Sequence, residues 1–415
     1  MKFALSLLVI CAFQHTSLAA PSALTKRLEN GLGRTPALGY NNWNNGGCTH
    51  ATAESALNVA NLLISLGLKD AGYTYVNTDD CWSSNSRNST GHLVPDPTKW
   101  PQGIKPVADE IHSMGLKFGL YGDAGIMTCA GYPGSQGHEV QDALTLAEWD
   151  VDYWKHDACY LPCGDSGDVP QGCYDPNSST KPYYGIMRDA LAEAGRPIFF
   201  SICNWGRDSV WTWGKDYGNS WRMSNDIANN WGSVASIAAR AAGIAEYAGP
   251  GGFNDLDMLQ VGNGGLNENE ERAHVGLWAI AKSPLLIGTD LSKLQNSTLN
   301  ILKNKALIAI NQDTLGKAAT YFQPAGASAP VDGSLYPYWA GPLSDGVVVG
   351  IVASEGAANL SVSFADVPGL GSGSWEWSEA FTGATGEGTG VSADLPAHDM
   401  RVYKVSKGTL MYSVR

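Results

Sequence analysis

The chain has 415 residues, 44% of them hydrophobic and only 16% charged, a balance that excludes a disordered chain, a coiled coil and a charge-rich scaffold. Its net charge of −13 is accompanied by no Lys/Arg cluster beyond isolated pairs, which excludes a nucleic-acid partner and leaves neutral or cationic ligands. Fourteen Trp and seventeen Tyr supply flat rings that suit the faces of sugars as well as a protein core.

Lys2, an apolar run from Phe3 to Phe13 and the small residues Ser17-Leu18-Ala19-Ala20 open the chain, in the order expected of a secretory signal peptide. The run is too short to span a bilayer, so no membrane association is expected. With the dibasic pair Lys26-Arg27 behind it, residues 1–27 read as a signal peptide and short pro-segment, and the protein as secreted and extracellular. Four sequons, at Asn88, Asn177, Asn296 and Asn359, agree with that route. Once Cys11 leaves with the signal, seven cysteines remain. In an oxidising compartment an odd number means one free thiol.

From residue 28 to about 318, short aromatic and β-branched segments end in polar residues and alternate with helical periodicity. The predicted strands are Ala37–Trp43, Tyr73–Asp80, Lys117–Gly125, Val151–Cys159, Pro197–Trp205, Ser220–Asp226, Phe253–Leu259 and Ser283–Thr289. Amphipathic stretches such as Ala53–Leu66, Gly103–Met114, Asp142–Glu148, Tyr183–Ala194 and Val234–Tyr247 lie between them. Eight strand–helix units predict an α/β fold, a closed (β/α)8 TIM barrel. A doubly wound sheet would want a GxGxxG turn after the first strand, and Asn44-Asn45-Gly46-Gly47-Cys48 is not one. Over residues 319–415 the periodicity changes to alternating runs, Val347–Val352, Leu360–Phe364, Trp375–Trp377 and Met400–Val405, parted by Gly, Ser and Pro. These predict a C-terminal antiparallel β domain, a β-sandwich.

The active site of such a barrel forms at the C-terminal ends of its strands. Those ends carry Trp43, Asp79-Asp80, Tyr121 and Asp123, Lys155 and Asp157, Cys203 and Trp205, Arg222 and Asp226, and Asp255 and Asp257. Acidic residues are costly to bury unless paired or used, and one rim with acids on five of its eight strand ends implies a pocket. No metal or other cofactor is expected, since HExxH, paired CxxC and EF-hand spacings are all absent. No GxSxG elbow points to a serine hydrolase. Two carboxylates among aromatic rings suit glycoside hydrolysis, in which one attacks the anomeric carbon and the other protonates the leaving oxygen. Lys155 lies two residues from Asp157 and so on the same strand face. A cation there is expected to keep Asp157 ionised as the nucleophile. Asp226 is then the acid/base, with Arg222 on its face if the sixth strand runs that far.

Trp154-Lys155-His156-Asp157-Ala158-Cys159 resembles the nucleophile strand of glycoside hydrolase family 27, the α-galactosidases and α-N-acetylgalactosaminidases, and Arg222-Met223-Ser224-Asn225-Asp226-Ile227 resembles its acid/base motif. Leu38–Trp43, Asp79–Trp82, Tyr121–Gly125 and Asn254–Leu259 are similar to further family blocks in the same order, so the resemblance covers roughly residues 32–320. It implies a retaining mechanism with Asp157 as nucleophile and Asp226 as acid/base. It implies sugar contacts from Asp79 and Asp80 at O6 and O4, from Lys155 near O3 and O4, and from Arg222 and Asp257 towards O2. Trp43 would be the apolar platform with Tyr121 nearby, and Cys203 and Trp205 would line the C2 side. The same resemblance pairs Cys48 with Cys81 and Cys129 with Cys159. Cys163 and Cys173 look like a third, local bridge, which leaves Cys203 as the free thiol.

The sequence departs from the family pattern at His156 and Ala158, neither of which the chemistry requires, and at Tyr40, which replaces a frequent Trp. N-acetylgalactosaminidases of the family keep small residues where Trp205 stands, and its β-L-arabinopyranosidases lose an acid that Asp79 and Asp80 retain. The expected activity is therefore exo-hydrolysis of terminal α-D-galactosyl residues, with those two specificities as alternatives. Expected partners are raffinose-type oligosaccharides, galactomannan side chains and the galactose product. A galactose-binding lectin on an inactive barrel would predict loss of Asp157 or Asp226, and both are present.

Overall fold

The computed structural model describes residues 28–161 and 179–407. The signal segment, Cys163, Cys173 and Asn177 lie outside the described residues. Eight parallel strands form the first sheet: β1 Leu38–Asn41, β2 Tyr75–Asn77, β3 Lys117–Asp123, β4 Tyr153–Asp157, β5 Phe199–Ile202, β6 Ser220–Arg222, β7 Phe253–Asp255 and β8 Leu285–Ile287. They run in the order β7-β6-β5-β4-β3-β2-β1-β8. A parallel bridge from Leu259 to Ile287 joins the two ends and closes the barrel.

The helices are α1 Trp43–Gly46, α2 Ala53–Ser65, α3 Leu68–Ala71, α4 Ile104–Ser113, α5 Glu139–Glu148, α6 Lys181–Glu193, α7 Gly214–Tyr217, α8 Trp231–Ala242, α9 Glu268–Ile280, α10 Asn296–Leu302 and α11 Lys305–Asn311. None is long and apolar enough to cross a membrane among the described residues. In α2, Ala56, Val59, Ala60 and Leu63 recur at helical spacing and are buried, and the Thr52 side chain caps the first turn by accepting from the Ser55 N–H. The α9 helix differs, being buried on almost every side from Ala273 to Ile280. Its capping box, Asn267 with Glu270, fixes its start.

The barrel interior is layered. Low in it, Tyr75, Tyr153 and Phe199 pack with Ala37, Met258 and Leu286. The Tyr153 and Phe199 rings stack at 4.8 Å. These rings plug the barrel, so the polar residues above them have a floor.

The second unit has a six-stranded sheet, order β14-β13-β16-β11-β10-β9, and a two-stranded sheet, β12-β15. Its strands are β9 Thr320–Tyr321, β10 Tyr338–Leu343, β11 Gly346–Val352, β12 Ala358–Ser363, β13 Trp375–Glu379, β14 Thr385–Gly388, β15 Gly390–Leu395 and β16 Met400–Ser406. All their pairings are antiparallel. Val349, Ile351, Phe364, Tyr403 and Val405 lie among the fully or nearly buried residues between the sheets, the arrangement of a sandwich.

Candidate active site

The barrel strands are shorter than the sequence predicts, because their polar tails leave the sheet and enter the βα loops. β6 ends at Arg222, so Asp226 lies in the loop beyond it and does not share a strand face with Arg222. The two still meet, with Arg222 Nη2 2.8 Å from Asp226 Oδ1.

Asp157 ends β4 and is 6% exposed. Its Oδ2 accepts a hydrogen bond from the Tyr121 hydroxyl at 3.0 Å. Its Oδ1 accepts from the Ala158 N–H at 2.9 Å. Spacing predicts that Lys155 depresses this carboxyl. The structure shows the opposite net direction: burial pushes Asp157 up to about 6, opposed by Lys155 and assisted by the charge of Asp226. The Lys155 ammonium is committed elsewhere, to Asp79 Oδ2 at 2.7 Å, and lies 5.1 Å from the Tyr121 ring centre.

Asp79 and Asp80 follow β2 and are both 2% exposed. Asp79 Oδ2 also accepts from Asn41 Nδ2 at 2.7 Å. Asp80 accepts from the backbone N–H groups of Cys81 and Ala130. Burial raises the Asp80 carboxyl against those donors. Trp43 begins α1, and its N–H donates to Asn41 Oδ1 at 2.9 Å. Asn41 therefore connects the Trp43 segment to Asp79. Nothing in the sequence pattern assigns Asn41 a role, and the one signal for it is the pair of asparagines, Asn41 and Asn42, directly after the apolar part of β1.

On the opposite side, buried Arg222 organises the acids. Its Nη2 reaches Asp257 Oδ2 at 2.9 Å as well as Asp226, and its Nη1 lies 3.8 Å from Cys203 Sγ. Asp257 accepts from the Ile227 and Met258 N–H groups, and burial raises its carboxyl. Asp255 supports it by accepting the Asp257 N–H at 2.8 Å, and is itself pushed up to about 6 by burial. Asp226 is the exception: its side chain is 74% exposed. Partial burial pushes it up, but Arg222 outweighs that and holds it below the usual carboxylate value. Cys203 is a buried free thiol, raised strongly by burial with Asp157 adding to the effect.

Trp205 and Asp257 both adopt left-handed backbone angles, φ 60° and φ 78°, a strained conformation for such side chains. The Arg207 guanidinium stacks on the Trp205 ring at 4.3 Å, and the Gly206 N–H donates to the Arg222 carbonyl. Trp205 is thereby fixed beside the Arg222 end of the site. Asp123 accepts from the Gly125 and Cys159 N–H groups, the pattern of a strut below the loop.

The cysteines form Cys48–Cys81 and Cys129–Cys159. A grouping of Asp123, Cys129, Asp157 and Cys159 within metal-ligand reach is occupied by the second of these bridges. Asn88, Asn296 and Asn359 are exposed. The carboxylates, Lys155, Arg222, Tyr121 and Cys203 thus form one connected group at the strand ends, with Trp43 and Trp205 joined to it through Asn41 and Gly206. One buried carboxylate at its floor and one exposed carboxylate at its mouth can attack and protonate the two ends of a glycosidic bond.

Comparison with known proteins finds relatives along most of the chain. Residues 35–313 match the family model described as alpha galactosidase A, and residues 334–405 the one described as the alpha galactosidase C-terminal beta sandwich domain. The chain is 42% identical over 404 residues to Alpha-galactosidase 3 of Arabidopsis thaliana, covering 93% of this chain and 85% of that protein. The crystal structure of α-galactosidase I from Mortierella vinacea superposes with a TM-score of 0.83 at 36% identity, covering 92% and 99% of the two chains. That of the Saccharomyces cerevisiae α-galactosidase with raffinose gives 0.82 at 32% identity, covering 92% and 100%.

Proposed function

The chain belongs to the α-galactosidases of glycoside hydrolase family 27, and from that membership we propose that it is a secreted, retaining exo-enzyme using Asp157 and Asp226. It is a glycoside hydrolase acting on α-galactosides. Raffinose-type oligosaccharides and galactomannan side chains are its substrates in this reading. The Saccharomyces relative was solved with raffinose.

The observation that supports the pair is positional, both acids standing at the strand-end rim, while the charges around them run the other way, burial raising Asp157 and Arg222 holding Asp226 low. Asp157 is buried on the floor and aimed by Tyr121 and Ala158, while Asp226 stands exposed at the mouth under Arg222. A terminal galactosyl ring lying on Trp43 turns its outer hydroxyls to Asp79, Asp80 and Lys155. Asp157 Oδ attacks the anomeric carbon as the bond to the leaving oxygen breaks, and Asp226 gives that oxygen its proton. The resulting galactosyl ester of Asp157 is cleaved when Asp226 takes a proton from water and the water oxygen attacks the same carbon. Two inversions return the α-configuration. Trp205 narrows the C2 side and disfavours an acetamido group.

The test is hydrolysis of aryl α-galactoside, aryl α-N-acetylgalactosaminide and aryl β-L-arabinopyranoside, with the product anomer followed by NMR. Release from the α-galactoside with α-galactose formed first, abolished in Asp157→Ala, is the expected result. β-Galactose as first product would refute the retaining mechanism, and preference for the acetamido sugar would refute the role of Trp205.

A further inference from the structure

Outside the catalytic group, a cavity of about 220 Å3 lies between the barrel wall and α2. Tyr40 of β1 and Val76 of β2 are register partners. Both pack into the core shared with α2 rather than into the layer inside the barrel. Val59, Leu62, Val76 and Leu291 give the cavity an apolar floor. Its rim carries Asn45, His50, Ser55 and Asn58. The volume is that of about seven waters.

Hydrogen-bonding capacity is left unused around it. Tyr40 is 2% exposed. Its oxygen accepts from Asn45 Nδ2 at 3.1 Å, and its own O–H proton has no acceptor among the described residues. Nor do the side chains of His50, Ser55 and Asn58 bond to any described residue. A buried donor without an acceptor is costly, and a ligand oxygen would remove that cost. Charge is not on offer, because the Asp290 carboxylate is taken by Lys293 at 2.7 Å and by Ser292. No Lys or Arg lines the cavity. An apolar floor for C–H groups, unbonded hydroxyl, amide and imidazole groups above it, and no free charge fit a neutral polyhydroxylated molecule.

We propose that this cavity is a second sugar site, binding a single neutral pyranose. It goes beyond the catalytic reading and does not rest on it, since none of the carboxylates of the catalytic group lines it. It backs onto that group all the same: Asn42 lines the cavity and its Oδ1 accepts the Asp79 N–H at 2.7 Å.

Calorimetric titration of the full chain with D-galactose and with D-glucose tests the site, alongside Asn58→Trp, which fills the mouth from an exposed helix position, and Tyr40→Phe, which removes one donor at nearly constant volume. At least one of the two sugars is expected to show a binding event that Asn58→Trp weakens more than tenfold and Tyr40→Phe about tenfold. Aryl α-galactoside hydrolysis by Asn58→Trp stays within twofold of the parent. Binding of both sugars that is the same in the parent and in Asn58→Trp, at unchanged melting temperature, overturns the proposal. So does an effect of Asn58→Trp that Tyr40→Phe does not share. Failure of the parent to hydrolyse the galactoside would refute the catalytic reading and leave the titration interpretable.

Discussion

Asp157 and Asp226 feel one another's charge, so the pair takes up its protons in two apparent steps that belong to neither residue alone. The proposed chemistry needs one proton on the pair, carried by Asp226. Burial outweighs Lys155 and puts the upper step near 6. Arg222 outweighs burial at Asp226 and puts the lower step below the ordinary carboxylate value. Between those steps the pair holds one proton, which the shifts place mainly on Asp157, so the productive form with the proton on Asp226 is the minor tautomer and kcat/KM should be bell-shaped, with its maximum below about pH 6 and a fall above it. A maximum above pH 7 would refute the scheme. Tyr121→Phe removes the donor that favours the ionised Asp157. The alkaline limb should move up and kcat/KM fall about tenfold. A loss of rate with no movement of that limb would mean that Tyr121 acts by contact alone. The shared face of Lys155 and Asp157 was legible in the sequence, because a period of two places both on one side of β4. The sign of the Asp157 shift was not, since spacing reports a neighbouring cation but not the depth of burial or the partner that occupies it.

At the scale of elements, the barrel strands were legible because apolar, aromatic runs break into polar tails at the rim. Their ends were not: a sequence cannot show that Asn42, Thr78 or Asp226 has left the sheet for a loop. The α9 helix escaped pattern reading for a different reason. It packs against α10 and α11 on one side and β11 and β16 on another, so the polar stripe that marks a surface helix is missing. Strands β10 and β14 contain Gly and, in β10, Pro342, residues that ordinarily argue against a strand. The close approach of α9 to the sandwich depends on Gly276. A Cβ there would lie 2.8 Å from Met400 Sδ and 3.4 Å from Val402 Cγ2. In an exposed helix, replacing Gly by a larger residue usually helps. Here Gly276→Val should cost about 1–3 kcal/mol through overpacking, read as a lower melting temperature with kcat on aryl α-galactoside unchanged. An unchanged or higher melting temperature would mean that Met400 yields freely and the contact is loose.

Across the whole molecule, the sandwich is joined to the barrel helices by more than apolar contact. The turn before β16 carries His398 and Asp399. His398 stacks on Trp231 of α8 at 4.7 Å and its Nδ1 lies 2.7 Å from Glu270 of α9. Asp399, 1% exposed, accepts from both Arg272 Nε and Arg272 Nη2 at 2.9 and 3.0 Å and is also paired with Arg401. Thr320 Oγ1 of β9 donates to the Ala242 carbonyl at the end of α8. Helices α8 and α9 flank β7, whose end supplies Asp255 and, two residues on, Asp257, so the sandwich braces the side of the barrel that holds Arg222. Asp399→Ala leaves two guanidinium groups without their shared acceptor. Because Arg272 is partly exposed, the loss should fall below the 3–5 kcal/mol typical of a fully buried pair, at about 2–3 kcal/mol. If the two units form one cooperative structure, calorimetry of this variant shows a single transition at lower temperature. Two separate transitions, with aryl α-galactosidase activity surviving the first, would show instead that the barrel holds its Arg222 side without the sandwich.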